Sequence, residues 1–465
     1  MEMKQENSFL KNTIWLTIGT ILNKGLQFLA VLFFSRWLST EEYGRFDLLY
    51  TYISLLIPLI TLSTQEAVFR FSVNEGNEDI KCKNVSSAFL FDMVNYFVYL
   101  CIAFFIVGRI NVILYLAFSF YLIAELWSVY LRGFLRAIKR LDIYAFALVL
   151  QTMFMLCSVT AFVYKLHMGL IGILLGYAVG TFIGDFILVI WGKWIKYFDV
   201  REISKKQIEK LISYSAPLVP NEVSWWVMTA SDRQIINIFC GDAANGIFAI
   251  THKIPALCSV IFNMFAISWQ QEIVTKVENN EDADVVGIFN KMLITLLSIC
   301  WCLLAGSFVF YFYFFDIKYF EAILYSPILI ASAAAMAISQ FYGGIQAAYK
   351  RTKSTGVTTI VGAVLNIVVH LALIDEIGLY AAAVSTLVAN IVIIILRMIS
   401  IRDVFKIKMK KEASFNLLIF LYFFITAYFN RNMYFNWINF FVAILIAVFI
   451  NYSLIKTMLF TLLQK

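Results

Sequence analysis

The chain has 465 residues, of which 61% are hydrophobic and 14% charged, with a mean hydropathy of +0.80 and a formal net charge of +7. A soluble domain carries about 45–50% apolar and about 25% charged residues, so a water-solvated globule is excluded. The apolar runs have the length of membrane-crossing helices and do not alternate like the roughly 10-residue strands of a barrel, which makes the fold class an all-α integral membrane protein.

The N-terminus, MEMKQENSFLKN, is followed by no small-residue cleavage site, so the first apolar run is expected to be retained. Apolar spans follow over 14–36, 46–65, 85–107, 111–131, 143–165, 168–192, 211–234, 246–270, 288–315, 322–345, 356–374, 378–400, 413–430 and 435–459. Each suffices to cross a hydrocarbon core about 30 Å thick, which predicts fourteen transmembrane helices with both termini on one side. The seven cysteines (Cys82, Cys101, Cys157, Cys240, Cys258, Cys300 and Cys302) lack metal-ligand spacing, and only three histidines accompany them. They read as small hydrophobes in packed helices, and neither a metal nor a cofactor is expected.

Alternate loops differ sharply in cations. One set holds Arg132, Arg136, Lys139 and Arg140, then Lys193, Lys196, Arg201, Lys205, Lys206 and Lys210, then Lys350, Arg351 and Lys353, then Arg402, Lys406, Lys408, Lys410 and Lys411. The other holds only Arg36, Arg45, Arg109, Lys165, Lys318 and Arg431. The positive-inside rule makes the basic loops and both termini cytoplasmic. The net positive charge is then orientation, and no nucleic-acid partner is needed. The outer loops are short, so no ectodomain holds an enzyme's site; function is expected within the helix bundle, and it is not expected to be enzymatic.

Residues 133–140 read GFLRAIKR and residues 344–351 read GIQAAYKR, so that Gly133, Ala137, Lys139 and Arg140 return as Gly344, Ala348, Lys350 and Arg351. Gly44-Arg45-Phe46 is echoed by Gly246-Ile247-Phe248, and Gly169-Leu170 by Gly378-Leu379. The order maps spans 1–6 onto 7–12. Six is even, so both halves cross in the same sense, which predicts two six-helix lobes related by a pseudo-two-fold axis along the membrane normal. The expected division is 1–204, 205–405 and a pair of helices in 406–465. The orientation rule alone accounts for the basic pairs but not for the shared glycine and alanine. The five prolines, Pro58, Pro217, Pro220, Pro255 and Pro327, all fall in predicted spans. Pro58, Pro217, Pro220 and Pro255 bend spans 2, 7 and 8, either as hinges or as static kinks.

An ionisable side chain at mid-membrane costs about 2.5–3.5 kcal/mol on the insertion scale, so each one present calls for a reason. Thr13, Thr17, Thr20, Lys24 and Gln27 share one face of span 1, and Ser215, Glu222, Thr229 and Arg233 one face of span 7. Span 8 adds His252, Lys253, Ser259, Asn263 and Gln270; span 2 adds Thr51, Ser54, Thr61 and Gln65. These stripes predict a wet path lined by spans 1, 2, 7 and 8. Its substrate-binding cations are Lys24, Arg233, Lys253 and Arg70, the last neutralised by Glu66 four residues earlier. Its polar stripe includes Thr20, Gln27, Glu222, Thr229 and Asn263. Cations imply an anionic cargo; alternatively Arg233 and Lys253 snorkel to headgroups. The acids Asp92, Glu125, Asp185 and Glu222 either balance these charges or include the site of a coupling proton or sodium ion.

The segment YSAPLVPNEVSWWVMTASDRQIINIFCGDAANGIFAITHKIP combines a proline-rich helix start, an Asp-Arg pair, an acidic-small turn and Gly-x-Phe. It resembles the signature region of bacterial polysaccharide (O-antigen or capsule) repeat-unit flippases. LSTEEYGRFDLL and AAYKRTKSTGVTTIVGAVLNIVVHLALI fit the same resemblance, which extends over the first twelve spans. This oligosaccharidyl-lipid flippase family belongs to the multidrug/oligosaccharidyl-lipid/polysaccharide exporter superfamily. The resemblance implies two six-helix lobes and movement of an undecaprenyl-diphosphate-linked oligosaccharide from the inner to the outer leaflet, by alternating access through the cationic inter-lobe cleft. It further implies a multi-pass protein of the bacterial cytoplasmic membrane, with membrane lipids around it and a polysaccharide polymerase and glycosyltransferases as partners; a monomer is expected. Peptidoglycan-precursor flippases of the superfamily carry a denser set of arginines in the first lobe, and the single deep cation Lys24 speaks against that cargo. The rival reading is a multidrug or metabolite extruder on the same fold, coupled to protons or sodium, with the four acids serving cationic cargo. A membrane glycosyltransferase would need a catalytic constellation on a large aqueous loop, and the longest hydrophilic loop, 193–210, offers none.

Overall fold

Hydrocarbon supplies no hydrogen bonds, so a backbone crossing it must satisfy its own N–H and C=O groups, and a helix does so locally. The computed structural model describes residues 2–73, 75–108, 111–259, 262, 269, 273, 285–349, 351–403, 409–452 and 456, and these contain helices and no strand. In order they are α1 (Glu2–Trp37), α2 (Thr40–Thr61), α3 (Thr64–Ser72), α4 (Glu78–Ala103), α5 (Val112–Ala137), α6 (Leu141–Val159), α7 (Gly169–Trp191), α8 (Lys205–Ser215), α9 (Val219–Thr251), α10 (Val285–Phe314), α11 (Ala322–Ala348), α12 (Thr352–Ile377), α13 (Tyr380–Ile401), α14 (Lys411–Phe429) and α15 (Met433–Ile450). Among the described residues ten helices, α4–α7 and α10–α15, are long and apolar enough to cross a membrane. The pair α2 and α3, bent by 58°, makes an eleventh. Eleven of the predicted spans fall on these helices, 14–36 falls on α1 and 211–234 on α8 and α9, and 246–270 and the end of 435–459 lie partly outside the described residues.

The chain packs as two compact units, Met1–Ala230 and Ser231–Lys465. In the first, α6 and α7 meet along Gly176, Gly180 and Gly184, a small-residue ladder that lets helix backbones approach. A Cβ at Gly180 would stand 2.3 Å from the Met155 backbone, and one at Gly184 2.1 Å from the Gln151 side chain. A buried cluster of Val68, Val85, Tyr130, Phe134 and Leu135 joins α3, α4 and α5. In the second unit, Ile236, Phe248, Leu329, Ala382 and Ala383 form a core among α9, α11 and α13. There α10 buries Trp301 near Phe423 of α14. Gly241, at φ 85° and ψ 177°, breaks α9.

The repeated phrase builds the same corner twice. Helix α5 ends with Ile138 at φ −90°, ψ 7° and α11 with Tyr349 at φ −89°, ψ 16°. The Arg140 N–H then donates to the Leu135 carbonyl at 3.0 Å, and the Arg351 N–H to the Gln346 carbonyl at 2.7 Å. Both arginines stand at the N-cap of the next helix, α6 and α12 respectively. The Gly-Leu echo has a backbone cause as well: Gly169 and Gly378 sit at φ 52° and φ 55°, positive values that favour glycine.

The prolines occupy distinct local settings. Pro58 lies inside α2 and is buried. Pro217 sits in the tight turn Ala216–Leu218 between α8 and α9, and Pro220 in the first turn of α9, where its missing N–H has no helical partner to lose. Pro255 is buried in the short helical stretch after the turn at His252.

Gly378→Ala meets no atom within 4 Å of the added Cβ, so its effect isolates the backbone. Thermal unfolding in detergent is expected to show a loss of about 1–3 kcal/mol. Gly356→Ala, in open space inside α12, is expected to be neutral or to stabilise by up to about 1 kcal/mol.

Candidate functional site

Tyr121, Glu125, Ser128 and Arg132 recur at helical spacing along one face of α5. Polar groups of four other helices in the first unit join them around a cavity of about 280 Å³: Asn23 and Gln27 from α1, Tyr50 from α2, Tyr144, Gln151 and Thr152 from α6, and Tyr177 and Thr181 from α7. The Glu125 carboxylate lies 3.9 Å from the Arg132 guanidinium and accepts from the Thr181 hydroxyl at 3.4 Å. Arg132 donates to the Ser128 hydroxyl at 2.6 Å. The Gln151 amide donates to Ser128 at 2.9 Å and to fully buried Asp185 at 2.6 Å, an approach that Gly184 permits. Thr152 is hydrogen-bonded to Asn23, tying α6 to α1.

Of the sequence-predicted residues, Gln27, Glu125 and Asp185 come together here. Lys24 is exposed on α1, with Nζ 3.4 Å from Gln27 Oε1, and Thr20 is exposed beside it. The side chains of Thr13, Thr17 and Thr229, and residues Asn263 and Gln270, lie outside the described residues.

Asp92 and Glu222 are placed elsewhere, at the break between α2 and α3. Leu62 and Ser63 there adopt φ 47° and φ 56°, left-handed values at non-glycine residues. The Ile60 carbonyl freed by the break accepts from Asn95 at 2.8 Å, and the Ser63 N–H donates to the Thr61 hydroxyl at 3.1 Å. Thr64 donates to both oxygens of buried Asp92 at 2.8 and 3.0 Å, and the Ser63 hydroxyl to Glu222 at 3.0 Å. One turn after Glu222, the Trp226 indole donates to the Thr51 carbonyl at 2.6 Å.

Glu66 does not pair with Arg70. Its carboxylate is taken by Arg136 of α5 through two contacts of 2.8 and 3.4 Å, and that guanidinium also lies 4.2 Å from the Phe69 ring centroid. The planar fork of arginine matches a carboxylate through two N–H groups, and here it is the arginine of the neighbouring helix that supplies them. Arg70 is exposed at the end of α3. The hydroxyls of Thr51, Ser54 and Thr61 donate to carbonyls of their own helix at 2.6–2.9 Å.

In the second unit Arg233 and Lys253 are half-buried, and His252 packs edge-on to Phe248 with ring centroids 4.6 Å apart. A further cluster was not anticipated from sequence. Asp232 on α9 meets His370 Nδ1 of α12 at 3.0 Å and accepts from Thr386 of α13 at 3.1 Å, and Asn366 donates to Thr386 at 3.4 Å. His370 is fully buried. The available signal was an imidazole within the apolar span 356–374, which the insertion cost alone marks as unusual. Arg397 is buried too, donating to the Ser339 carbonyl at 2.6 Å and to Thr359 and Thr358 at 2.9 and 3.2 Å.

Asp232→Ala removes the partner of two buried groups at once. It is expected to cost about 1–3 kcal/mol in thermal unfolding of the detergent-solubilised protein, whereas Asp232→Asn, which keeps a hydrogen-bonding oxygen, costs less.

Comparison with known proteins gives a consistent result. No curated protein matches the chain in sequence. Among solved structures, lipid II flippase MurJ in an inward closed conformation aligns with a TM-score of 0.70 at 15% identity, over 96% of this chain and 100% of its own. An inward-facing multidrug resistance MATE transporter of the MOP superfamily aligns at 0.63 with 12% identity, over 83% and 94%. A MOP superfamily transporter from Pyrococcus furiosus aligns at 0.55 with 12% identity, over 84% and 95%. At such identities the likeness is one of fold. Residues 9–269 match the family described as polysaccharide biosynthesis protein. Because that match covers more than half of the chain, this protein belongs to the polysaccharide biosynthesis protein family, and it carries the membrane fold shared by MurJ and the MATE transporters.

Proposed function

We propose that the protein moves a polyprenyl-diphosphate-linked oligosaccharide, the repeat unit of an O-antigen or capsule, from the inner to the outer leaflet of the bacterial cytoplasmic membrane. The observation that carries the reading is family membership combined with a MurJ-like fold. Taking a diphosphate and several sugars through hydrocarbon unaided would cost on the order of tens of kcal/mol. A protein interior rich in hydroxyls, amides and cations lowers that cost while the polyprenyl tail stays in lipid, and no covalent step is needed. The matching corners at Arg140 and Arg351 support two parallel six-helix repeats, 1–204 and 205–405, followed by the helices of 406–465. MATE relatives solved in inward-facing and outward-facing conformations support alternating access. Lys24, Arg70, Arg233 and Lys253 are the residues we assign to the diphosphate, and the loop charges put both termini in the cytoplasm. The polymerase and glycosyltransferases are the enzymes that use and make such a cargo, and one copy of the chain suffices for the step.

The second reading, an extruder of drugs or metabolites driven by protons or sodium, is favoured by the two acids Glu125 and Asp185 inside the first unit and by the MATE likeness.

Deletion in the native host, followed by extraction of polyprenyl-linked oligosaccharides and assay of surface glycan, tests the proposal. Completed lipid-linked units trapped in the inner leaflet, with surface glycan lost, are expected. In the complemented strain Lys24→Ala is expected to lower export about tenfold to a hundredfold, the value of one charge-assisted contact. Normal surface glycan together with new sensitivity to cationic drugs would establish the extruder instead.

A further inference from the structure

We infer that the cavity of the first unit is a pyranose-binding subsite, which selects the cargo through one of its sugars, an uncharged or amino-bearing hexose. The inference rests on the flippase reading. The cavity holds about 280 Å³, just below the ~300–1,000 Å³ of sites for drug-sized molecules, which suits a single sugar ring. One wall is aromatic: the rings of Tyr121 and Tyr177 lie with centroids 5.4 Å apart, and those of Tyr50 and Tyr177 6.4 Å apart. Aromatic faces of this kind accept the C–H face of a pyranose, and the surrounding side chains serve its hydroxyls.

One buried group is poised for such a partner. The Tyr121 hydroxyl, on a side chain with no exposed surface, lines the cavity and has no hydrogen-bond partner in the protein. Behind the wall, fully buried Asp185 accepts from the Gln151 amide and orients that side chain, which does line the cavity. A buried polar atom left unpaired costs about 1–3 kcal/mol, and sugar hydroxyls, which both donate and accept, are suited to such mixed groups. Glu125 accepts hydroxyl protons, and Gln151 and Arg132 offer donors nearby.

Charge decides the class of ligand. The Glu125 carboxylate lines the cavity beside the Arg132 guanidinium and a second carboxylate, Asp185, is buried behind Gln151, so a uronic acid is disfavoured, while an amino group or a neutral ring is accepted. A metal cation fits poorly, because Arg132 already stands 3.9 Å from Glu125 and hydrogen-bonds to Ser128 within the same cluster.

The test uses the full chain in lipid nanodiscs and saturation-transfer NMR with methyl glycosides of glucose, galactose, N-acetylglucosamine and glucuronic acid. Transfer to at least one uncharged or amino sugar is expected, at least fivefold weaker in Glu125→Gln and in Tyr50→Leu, with none to the glucuronide. Tyr50 is 46% exposed, so its replacement leaves the fold intact, and unchanged thermal unfolding verifies this for both variants. Silence toward every glycoside, equal signals in both variants, or a sodium- or proton-linked response at Glu125 with the glycosides silent overturns the inference. In the deletion host, wild-type chain that restores surface glycan while both variants restore it equally removes the subsite and leaves the flippase reading standing. Wild-type chain that restores nothing removes both.

Discussion

The break between α2 and α3 shows the constraint that governs the rest of this protein: every backbone group opened inside the membrane must be closed by a side chain. Two successive residues, Leu62 and Ser63, take left-handed conformations at about 1–2 kcal/mol each. Such strain persists only where the surroundings over-determine it. They do so here, through Asn95 on the Ile60 carbonyl, Asp92 under Thr64, and Glu222 on Ser63. Once α3 is turned in this way it lies along α5, where Glu66 finds Arg136. Two of the acids that a mid-membrane cost argument marks as candidates for ion coupling thus also brace a bent helix.

The same rule sorts the other buried polar groups. Asp232 and His370 neutralise one another's demand with help from Thr386, and Arg397 is surrounded by a carbonyl and two threonine hydroxyls. Breaking a buried pair is costly because the remaining group is left uncompensated, so these clusters hold α9, α12 and α13 in register whatever else they do. The cluster around Glu125, Arg132, Gln151 and Asp185 differs, since it borders a cavity and leaves individual atoms unsatisfied.

Much of this was legible in the sequence because it is local. Apolar run length gave the helices, and the phrase ending in Lys-Arg marks a corner whose hydrogen bonds span only five residues, so its recurrence survives in the letters. Gln27 of the span-1 stripe lines the cavity, whereas Glu125 and Asp185 stood out in the sequence only as buried acids, and the polar face of α5 that carries Glu125 was not read. Other features depend on partners distant in the chain. Glu66 was assigned to Arg70 by helical spacing, yet its partner is 70 residues away; Asp232 and His370 are separated by 138. The polar stripe of span 2 has a local explanation beside the wet path expected of it. Thr51, Ser54 and Thr61 satisfy themselves on the preceding turn of their own helix, which makes a hydroxyl tolerable against apolar neighbours without any water-filled path.

The hydroxyl of Ser63 and the carboxylate of Glu222 are 159 residues apart. A ribosome adding about 5–20 residues per second separates their synthesis by roughly 8–30 s. During that interval α4 already supplies Asn95 and Asp92, but the last strut of the bend does not yet exist. The second span therefore waits half-braced in the membrane for α9 to be made, and a chain halted before that point carries the strain without its final support.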